Sequence, residues 1–386
     1  MRLQCAEAIC RRVLRYVPAI LSIILIIASG CSKKFLIPRG QAVAESEWKY
    51  SRKDAQASAK INSQFGGQLN IKWEDKISET PVGPLTVGAG RLIFCGSKGR
   101  VHFFDLETGR YAGRHKNRGH VESGFIIDDS LAYYALGSLS SRLICLDLHN
   151  QRQVWNLDLK EVTAPPIIID NRLYISADTG MAGCVDRITG KFIWRQWVGS
   201  KSLAGPSYDD GVVYYPSDKG VLSGLNGMTG DIIFQVNFDE PLMSKAAVGD
   251  KIYLSGVGGG FFALDKKTGK ALWAKEFPWP IWTSPAIDEN LVYVGDNGGY
   301  LRALDNSDGR TIWEFRSSGV IVSSPIIVGD FILFASLDKN IYCLDKKSGL
   351  LVSKRELKHE VRLPLVSDGR RIYLAEQDGA IQCFGD

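Results

Sequence analysis

The chain has 386 residues, of which 45% are hydrophobic and 23% are charged, with 40 Gly and 14 Pro. This composition excludes an intrinsically disordered chain, which has far fewer apolar residues, and a collagen-like fibre. The net charge of +5 is concentrated at the N-terminus, because residues 71–386 carry 36 basic and 38 acidic side chains. We therefore expect no nucleic acid as a partner, since a nucleic-acid-binding body would carry a basic surplus.

The first thirty residues have the pattern of an export signal. Four arginines precede an apolar run from Val17 to Ile27. At about 1.5 Å per residue this run is too short to cross a hydrocarbon core of about 30 Å. The small residues 28–30 directly precede Cys31, an ending that resembles the lipobox of bacterial lipoproteins. The resemblance implies removal of residues 1–30 and lipidation of Cys31. An ordinary signal peptide or an uncleaved anchor is the alternative, and with either the body is exported.

Residues 31–68 are polar and mixed in charge, and we predict that they form the lipidated cysteine and a tether. A flexible chain of this length has an end-to-end distance of roughly 33 Å, from about 5–6 Å times the square root of the residue number. Trp48 and Tyr50 are unusual in a free tether. They indicate that part of 44–68 packs on the domain that follows.

A period of about forty residues organises the rest of the chain. Eight registered segments end at positions 105, 147, 186, 226, 265, 305, 345 and 385, which are 39 to 42 residues apart. Glycine usually lies four residues after the segment and an aromatic residue eight residues after it. The acidic and aromatic members of the repeat include Asp147, Asp186, Asp265, Asp305, Asp345, Trp73, Trp155, Trp194, Trp273 and Trp313.

Each copy of the repeat predicts four short strands. In residues 320–356, β-branched and aromatic runs of five to nine residues alternate with turns rich in Gly, Asn and Asp. This alternation is typical of strands joined by hairpins. No helical periodicity of useful length occurs after residue 70. The sequence therefore predicts an all-β fold, an eight-bladed β-propeller of four-stranded antiparallel blades.

The two ends of the repeat region complement each other. The eighth copy stops at Asp386 after its third strand, whereas residues 69–73 form a fourth strand without a blade of its own. Pairing of the two ends would leave no open sheet edge and would close the ring. We therefore predict one domain over 69–386, with its last blade completed by the N-terminal strand.

The repeat resembles a known family. Residues 263–273, ALDKKTGKALW, match the A-x-D-x-x-T-G-K-x-x-W tryptophan-docking pattern of quinoprotein propeller repeats, and 184–194 and 303–313 match with one or two changes. In that family the Trp packs between adjacent blades and the Asp and Gly shape the turn, so the resemblance implies structural roles for these residues.

An eight-bladed repeat of this size behind a lipobox is similar to the BamB family, lipoprotein subunits of the outer-membrane β-barrel assembly machinery. The resemblance implies a non-enzymatic interaction scaffold with no cofactor, metal or catalytic residue. It implies a lipid anchor at Cys31 in the bacterial envelope, on the outer membrane facing the periplasm. The expected partner is the barrel-assembly protein or another envelope protein.

Two other functions stay open, because repeat type does not settle function. A small quinone-dependent oxidoreductase is the enzymatic alternative. Quinoprotein dehydrogenases are typically much longer and carry a calcium–quinone site, often with adjacent cysteines, whereas this chain has no adjacent cysteine pair. An envelope sensor or ligand-binding propeller is the third hypothesis.

The most unusual loop is EFPWPIW, residues 276–282, between the fifth and sixth blades. Its three aromatic residues and two prolines predict a stiff apolar contact for a protein partner. The alternative is that Phe277 and Trp282 simply complete their strands inward. Trp197, at the end of the outer strand of blade three, is a second candidate. The predicted partner-binding residues are Trp279, Trp282, Pro280 and Trp197.

Overall fold

The computed structural model describes residues 52–54, 56–117, 119–121, 123–137, 141–159, 162 and 164–386. The predicted signal peptide, Cys31, and the pair Trp48 and Tyr50 lie outside these residues. Within them the chain consists of strands, turns and loops. This part of the chain contains no helix of the length and apolarity that a membrane crossing needs.

Eight sheets of four or five strands form the ring, which confirms the predicted eight-bladed propeller. Two strands precede blade one, β1 (Lys60–Ile61) and β2 (Asn70–Lys76). Blade one contains β3 (Thr86–Gly88), β4 (Arg91–Gly96), β5 (Arg100–Asp105) and β6 (Tyr111–Lys116). Blade two contains β7 (His120–Val121), β8 (Ile126–Asp128), β9 (Leu131–Gly137), β10 (Arg142–Asp147) and β11 (Arg152–Asp158).

The next blades repeat this plan. Blade three contains β12 (Ile167–Ile169), β13 (Arg172–Ala177), β14 (Met181–Asp186) and β15 (Phe192–Trp197). Blade four contains β16 (Ser207–Asp209), β17 (Val212–Pro216), β18 (Val221–Asn226) and β19 (Ile232–Asn237). Blade five contains β20 (Ala247–Val248), β21 (Lys251–Ser255), β22 (Gly260–Asp265) and β23 (Ala271–Glu276).

Three blades complete the ring. Blade six contains β24 (Ala286–Ile287), β25 (Leu291–Gly295), β26 (Tyr300–Asp305) and β27 (Thr311–Arg316). Blade seven contains β28 (Ile326–Val328), β29 (Phe331–Ser336), β30 (Asn340–Asp345) and β31 (Leu351–Glu356). Blade eight contains β32 (Val366–Ser367), β33 (Ile372–Ala375) and β34 (Ala380–Gly385).

The first strand of each blade lies towards the propeller axis. These strands contact one another from blade to blade, as β20 contacts β16 and β24. The second and third strands are buried almost throughout, because adjacent blades cover both of their faces. The fourth strands alternate between exposed and partly buried residues, so they form the outer rim.

The N-terminal strand closes the ring as predicted. β2 pairs antiparallel with β34, with Asn70 opposite Gly385 and Lys76 opposite Ala380. This pairing supplies the fourth strand of blade eight. It also removes the open sheet edge that the C-terminal strand would otherwise present.

Aromatic residues of the fourth strands join each blade to the next. Trp155 Nε1 donates a hydrogen bond of 2.9 Å to the carbonyl oxygen of Arg187 in blade three. Its ring lies so close to Gly190 that a Cβ there would come within 2.6 Å of Trp155 Cδ2. Gly190 also has φ of +71°, a backbone conformation that residues with a side chain rarely adopt. Glycine is therefore favoured at this position for two reasons. The other tryptophans that donate to a carbonyl of the next blade are Trp73, Trp194, Trp273 and Trp313.

The acidic residues of the repeat cap the turns between third and fourth strands. Asp186 Oδ1 accepts hydrogen bonds from the backbone N–H and the hydroxyl of Thr189, at 2.7 and 2.8 Å. These bonds lower the pKa of Asp186. The carboxylates that accept backbone N–H groups in the same way in other blades are Asp147, Asp265, Asp305 and Asp345.

The described part of the predicted tether packs against the ring. β1 pairs in parallel with β28, on the axial edge of blade seven. Arg52 is 2% exposed, and its Nη2 donates to the carbonyl oxygens of Ser284 and Pro285 at 3.2 and 2.7 Å. Carbonyl oxygens of this segment accept hydrogen bonds from backbone N–H groups in or next to the first strands of blades five, six and seven. The acceptor–donor pairs are Gln56–Val248, Ser58–Ile287, Ala59–Ile327 and Ile61–Gly329. These bonds hold the described residues of the segment 52–61 on the propeller.

Candidate partner-binding surface

The antiparallel order of the strands separates two faces of the propeller. One face, here named the connection face, carries the loops that join successive blades and the turns between second and third strands. The opposite face, the turn face, carries the turns capped by the acidic residues. Trp197 ends the fourth strand β15, and Trp279 and Trp282 lie in the loop between β23 and β24. All three aromatic residues therefore lie on the connection face.

The loop between blades five and six is held at several points. Phe277 N–H donates to the carbonyl of Gly259 at 2.9 Å, and the carbonyl of Pro280 accepts from Asn297 N–H at 2.9 Å. Phe277 and Ile281 are buried, with 8% and 1% of their surface exposed. The loop therefore presents its remaining side chains from a fixed backbone.

The two tryptophans of this loop stay accessible. Trp279 is 47% exposed and Trp282 is 57% exposed. One side of Trp279 packs on Gly298, where a Cβ would come within 2.3 Å of Trp279 Cδ1. Phe277 does turn inward, as one sequence interpretation predicts, but Trp282 does not.

A buried ion pair supports this loop from below. Arg302 and Asp296 are 6% and 1% exposed, and Arg302 Nη1 donates to Asp296 Oδ2. The Arg302 guanidinium also stacks at 4.5 Å from the ring centres of Phe277 and Tyr300. Asp296 Oδ1 accepts from the backbone N–H of Gly298 at 2.8 Å, which fixes the turn beneath Trp279.

Trp197 is exposed two blades away. It is 60% exposed and lies opposite Met181 in the sheet of blade three. The structure thus places Trp197 on the same face as the blade-five loop but in a different connection. Its side chain extends the apolar character of the connection face towards blade three.

Met243 was missed by the sequence reasoning. It lies in the connection between blades four and five and is 38% exposed. It follows the buried Leu242 as Trp282 follows the buried Ile281, 39 positions later. The forty-residue register of the connecting loops was the signal that could have found it. Trp197 ends the strand before the connection between blades three and four, and Trp282 lies in the connection between blades five and six. The connection that carries Met243 lies between these two.

No group of three His, Cys, Asp or Glu side chains that could hold a metal occurs among the described residues. Their cysteines are buried and free, at positions 95, 145, 184, 343 and 383. Burial raises the pKa of Cys95 to about 12, so this thiol is protonated at neutral pH. The axial edge of blade seven is covered by the chain's own β1.

A family model described as "Outer membrane protein assembly factor BamB" matches residues 113–196 and 180–385, which together make up more than half of the chain. The chain belongs to the BamB family. The resemblance predicted from the repeat and the lipobox is thereby confirmed. The family match covers blades two to seven, the three C-terminal strands of blade eight and most of the fourth strand of blade one.

Individual relatives define the extent of the similarity. The BamB outer membrane assembly factor of Yersinia pestis is 25% identical over 255 residues, which are 61% of this chain and 57% of that protein. The match thus spans little more than half the length of that relative. The crystal structure of BamB from Moraxella catarrhalis has a TM-score of 0.72 at 18% identity, covering 83% of this chain and 100% of that chain.

The same fold occurs in an enzyme. A europium-containing methanol dehydrogenase has a TM-score of 0.73 at 12% identity, covering 86% of this chain and 90% of that chain. At such identities a structural likeness shows the propeller alone, and function has to be argued from the surface of this molecule.

Proposed function

We propose that the protein is a non-enzymatic envelope lipoprotein that acts as a protein–protein scaffold in the assembly of outer-membrane β-barrel proteins. Membership in the BamB family supports this function. The observation that carries it is the loop between blades five and six, which holds Trp279 and Trp282 half-exposed on a fixed backbone. Exposed aromatic side chains on a rigid support are typical of residues that dominate protein interfaces.

The contact surface in this proposal is the connection face. Trp279, Pro280 and Trp282 form its centre, and Met243 and Trp197 extend it towards blades four and three. Because the loop is already ordered, binding requires little loss of conformational entropy in the scaffold. The partner is the central barrel-assembly protein of the outer membrane or another envelope protein.

The anchor in this proposal is a lipid on Cys31. Removal of residues 1–30 would leave the lipidated cysteine 21 positions before Arg52, the first residue that the structure describes. This arrangement keeps the propeller close to the periplasmic surface of the outer membrane.

The test is copurification from the native host. We expect Trp279→Ala combined with Trp282→Ala to reduce recovery of the barrel-assembly protein at least tenfold, since a central interface aromatic contributes about 2 kcal/mol or more. The matched control is Leu350→Ala, which removes a side chain 70% exposed in a turn on the opposite face. Recovery after cross-linking is measured by mass spectrometry, together with the melting temperature of each variant.

Two results would contradict the proposal. One is an intact, lipidated protein that brings no outer-membrane barrel-assembly protein with it. The other is equal recovery with the double variant and with Leu350→Ala. A fall in melting temperature for the double variant without loss of recovery would assign the aromatic loop to stability.

A further inference from the structure

The junction between blades one and two lacks the aromatic residue that joins other blades. By sheet register, Gly113 of β6 occupies the position that Trp155 occupies in β11. The glycine on which that tryptophan docks, Gly190, is replaced by Gln151 in blade two. Both members of the docking pair are therefore changed at this one junction.

The other junction without an aromatic residue is filled by a different part of the chain. Ser353 replaces the tryptophan in blade seven, and its hydroxyl donates to the carbonyl oxygen of Gly67 at 2.5 Å. The ring of Phe65 packs edge-on against Phe331, with 5.8 Å between ring centres. The N-terminal segment thus takes the space of the missing tryptophan there, whereas at the junction of blades one and two a groove remains.

The blade-one side of this junction is also polar. At the junction of blades two and three, Leu157 and Leu159 follow the docking tryptophan and pack in an apolar cluster with blade three. The corresponding positions of blade one are His115 and Asn117. These two side chains of blade one are therefore capable of hydrogen bonding.

The blade-two side of the junction is polar as well. In blade three the receiving side chains include Met181 and Phe192. By sheet register, their counterparts in blade two are Arg142 and Gln153. Near the fourth strand, the apolar side chains between blades two and three are thus replaced by polar ones between blades one and two, whereas the deeper part of the latter junction stays apolar.

These replacements line a groove of about 710 Å³. Its floor is apolar, formed by Leu136, Ile144 and Leu146, and Lys116 and Arg142 bring positive charge to its walls. None of the lining residues that the structure describes is acidic. The nearby Asp158 accepts from Arg142 Nε at 2.9 Å and is itself largely exposed.

Hydrogen-bonding groups in the groove have unused capacity. Tyr134 donates its hydroxyl proton to Asn117 Oδ1 at 2.7 Å. Asn117 Nδ2 is buried and has no hydrogen-bond partner within the described part of the chain. Burial lowers the pKa of His115, although its hydrogen bond with the Asn117 side chain acts in the opposite direction, so its imidazole is neutral at pH 7.

We propose that this groove between blades one and two binds an acidic sugar, a hydroxylated ring that carries a carboxylate. The cations of Arg142 and Lys116 suit the carboxylate, because charge-assisted bonds to it are the strongest available there. The carboxamides of Asn117 and Gln153 donate and accept, as ring hydroxyl groups require. The apolar floor matches the C–H face of a sugar ring. This activity goes beyond the scaffold function and uses a different part of the ring.

The test measures binding to the full-length protein in detergent by calorimetry and saturation-transfer NMR. The probes are D-galacturonate, the uncharged D-galactose and inorganic phosphate. We expect galacturonate to bind at least about tenfold more tightly than galactose, since galactose lacks the charge-assisted bonds. Equal binding of galacturonate and galactose, or tighter binding of phosphate, would overturn the proposal.

Variants assign the binding to this groove. Arg142→Gln is expected to weaken galacturonate binding at least about tenfold, because it removes a charged hydrogen-bond donor. The control Arg152→Gln makes the same chemical change at an exposed position of β11 outside the lining. His115→Leu with Gln153→Phe rebuilds part of the apolar set of the next junction and is expected to abolish binding. Unchanged binding to Arg142→Gln would refute the site, whether or not the double variant folds.

The result is independent of the scaffold proposal. The same amount of barrel-assembly protein is expected to copurify with the groove variants as with the unmodified chain, because the aromatic loop is four blades away. Loss of sugar binding with intact recovery therefore concerns the groove alone.

Discussion

Single residues near the propeller axis carry charge into the interior. Lys245 precedes β20 and is 3% exposed, and Arg52 is 2% exposed. Burial, together with the nearby charge of Arg52, lowers the pKa of Lys245 from 10.5 to about 7. Burial likewise lowers the pKa of Arg52 to about 9, despite the carboxylate of Asp54. These groups weaken the fold at low pH, because the folded chain must then hold their charges out of water.

The sign of this effect predicts a pH dependence. Between about pH 7 and pH 10 the unfolded chain binds a proton at Lys245 that the folded chain has released, so stability rises with pH. We expect Lys245→Met to raise the melting temperature at pH 7 and to flatten its rise up to about pH 9.

The comparison for this prediction is Lys219→Met, which changes an exposed lysine in a turn of blade four. The melting temperature is measured by calorimetry over the same pH range for both variants. If Lys245→Met kept the pH profile of the unmodified chain, burial of this ammonium group would not control the stability.

Among the elements, β1 and the described residues of 52–59 depend on contacts with distant parts of the chain. They form no hairpin with a neighbour in sequence, and their backbone bonds reach first strands of blades five to seven. Ala59 is fully buried here, and its carbonyl accepts from Ile327 N–H at 2.8 Å. This segment fills axial space that the short first strands leave, so its attachment depends on shape as well as on hydrogen bonds.

A charge at Ala59 is expected to detach this segment. Ala59→Glu would place a carboxylate at a position with no exposed surface, which costs several kcal/mol unless the segment moves. We expect faster hydrogen exchange at the amides of Ile287 and Ile327, while the fourth strands keep their protection. Asn62→Asp, a similar charge change at an exposed position, serves as the control.

Unchanged exchange at Ile287 and Ile327 in Ala59→Glu would show that these amides do not depend on the segment. Equal acceleration in Asn62→Asp would assign the effect to charge alone. Either outcome would contradict the packing argument for the N-terminal segment.

At the scale of the whole molecule, the residues that most blades repeat differ in role from those that vary between blades. The tryptophans and acidic turns join or cap the blades, and their hydrogen-bonding groups are used in that role. The half-exposed aromatic residues and the polar groove are departures from the repeat. Function in a repeat protein is expected where copies differ, because the shared positions hold the architecture.

A ligand assay tests the enzymatic alternative on the intact protein. A scaffold that does not bind the cofactor would keep its melting temperature within about 1 °C when calcium and pyrroloquinoline quinone are added, and this is the result we expect. Binding at 100 times Kd would add about 2.7 kcal/mol of stability and would raise the melting temperature by more than that. A shift of several degrees, or turnover of an alcohol or sugar with an electron acceptor, would favour a quinone-dependent oxidoreductase instead.

The sequence by itself determined the architecture. Strands of a blade are joined by short turns, so each blade is encoded locally, and the register of Trp73 with later copies predicted the closure by β2. The exposure of Trp282, the burial of Phe277 and the blades that the N-terminal segment contacts follow only from the tertiary structure. The same holds for the groove, because His115 and Asn117 face Arg142 and Gln153 only after two blades pack. A contact between two blades depends on the side chains of both blades, whereas the sequence pattern of one repeat describes only one blade.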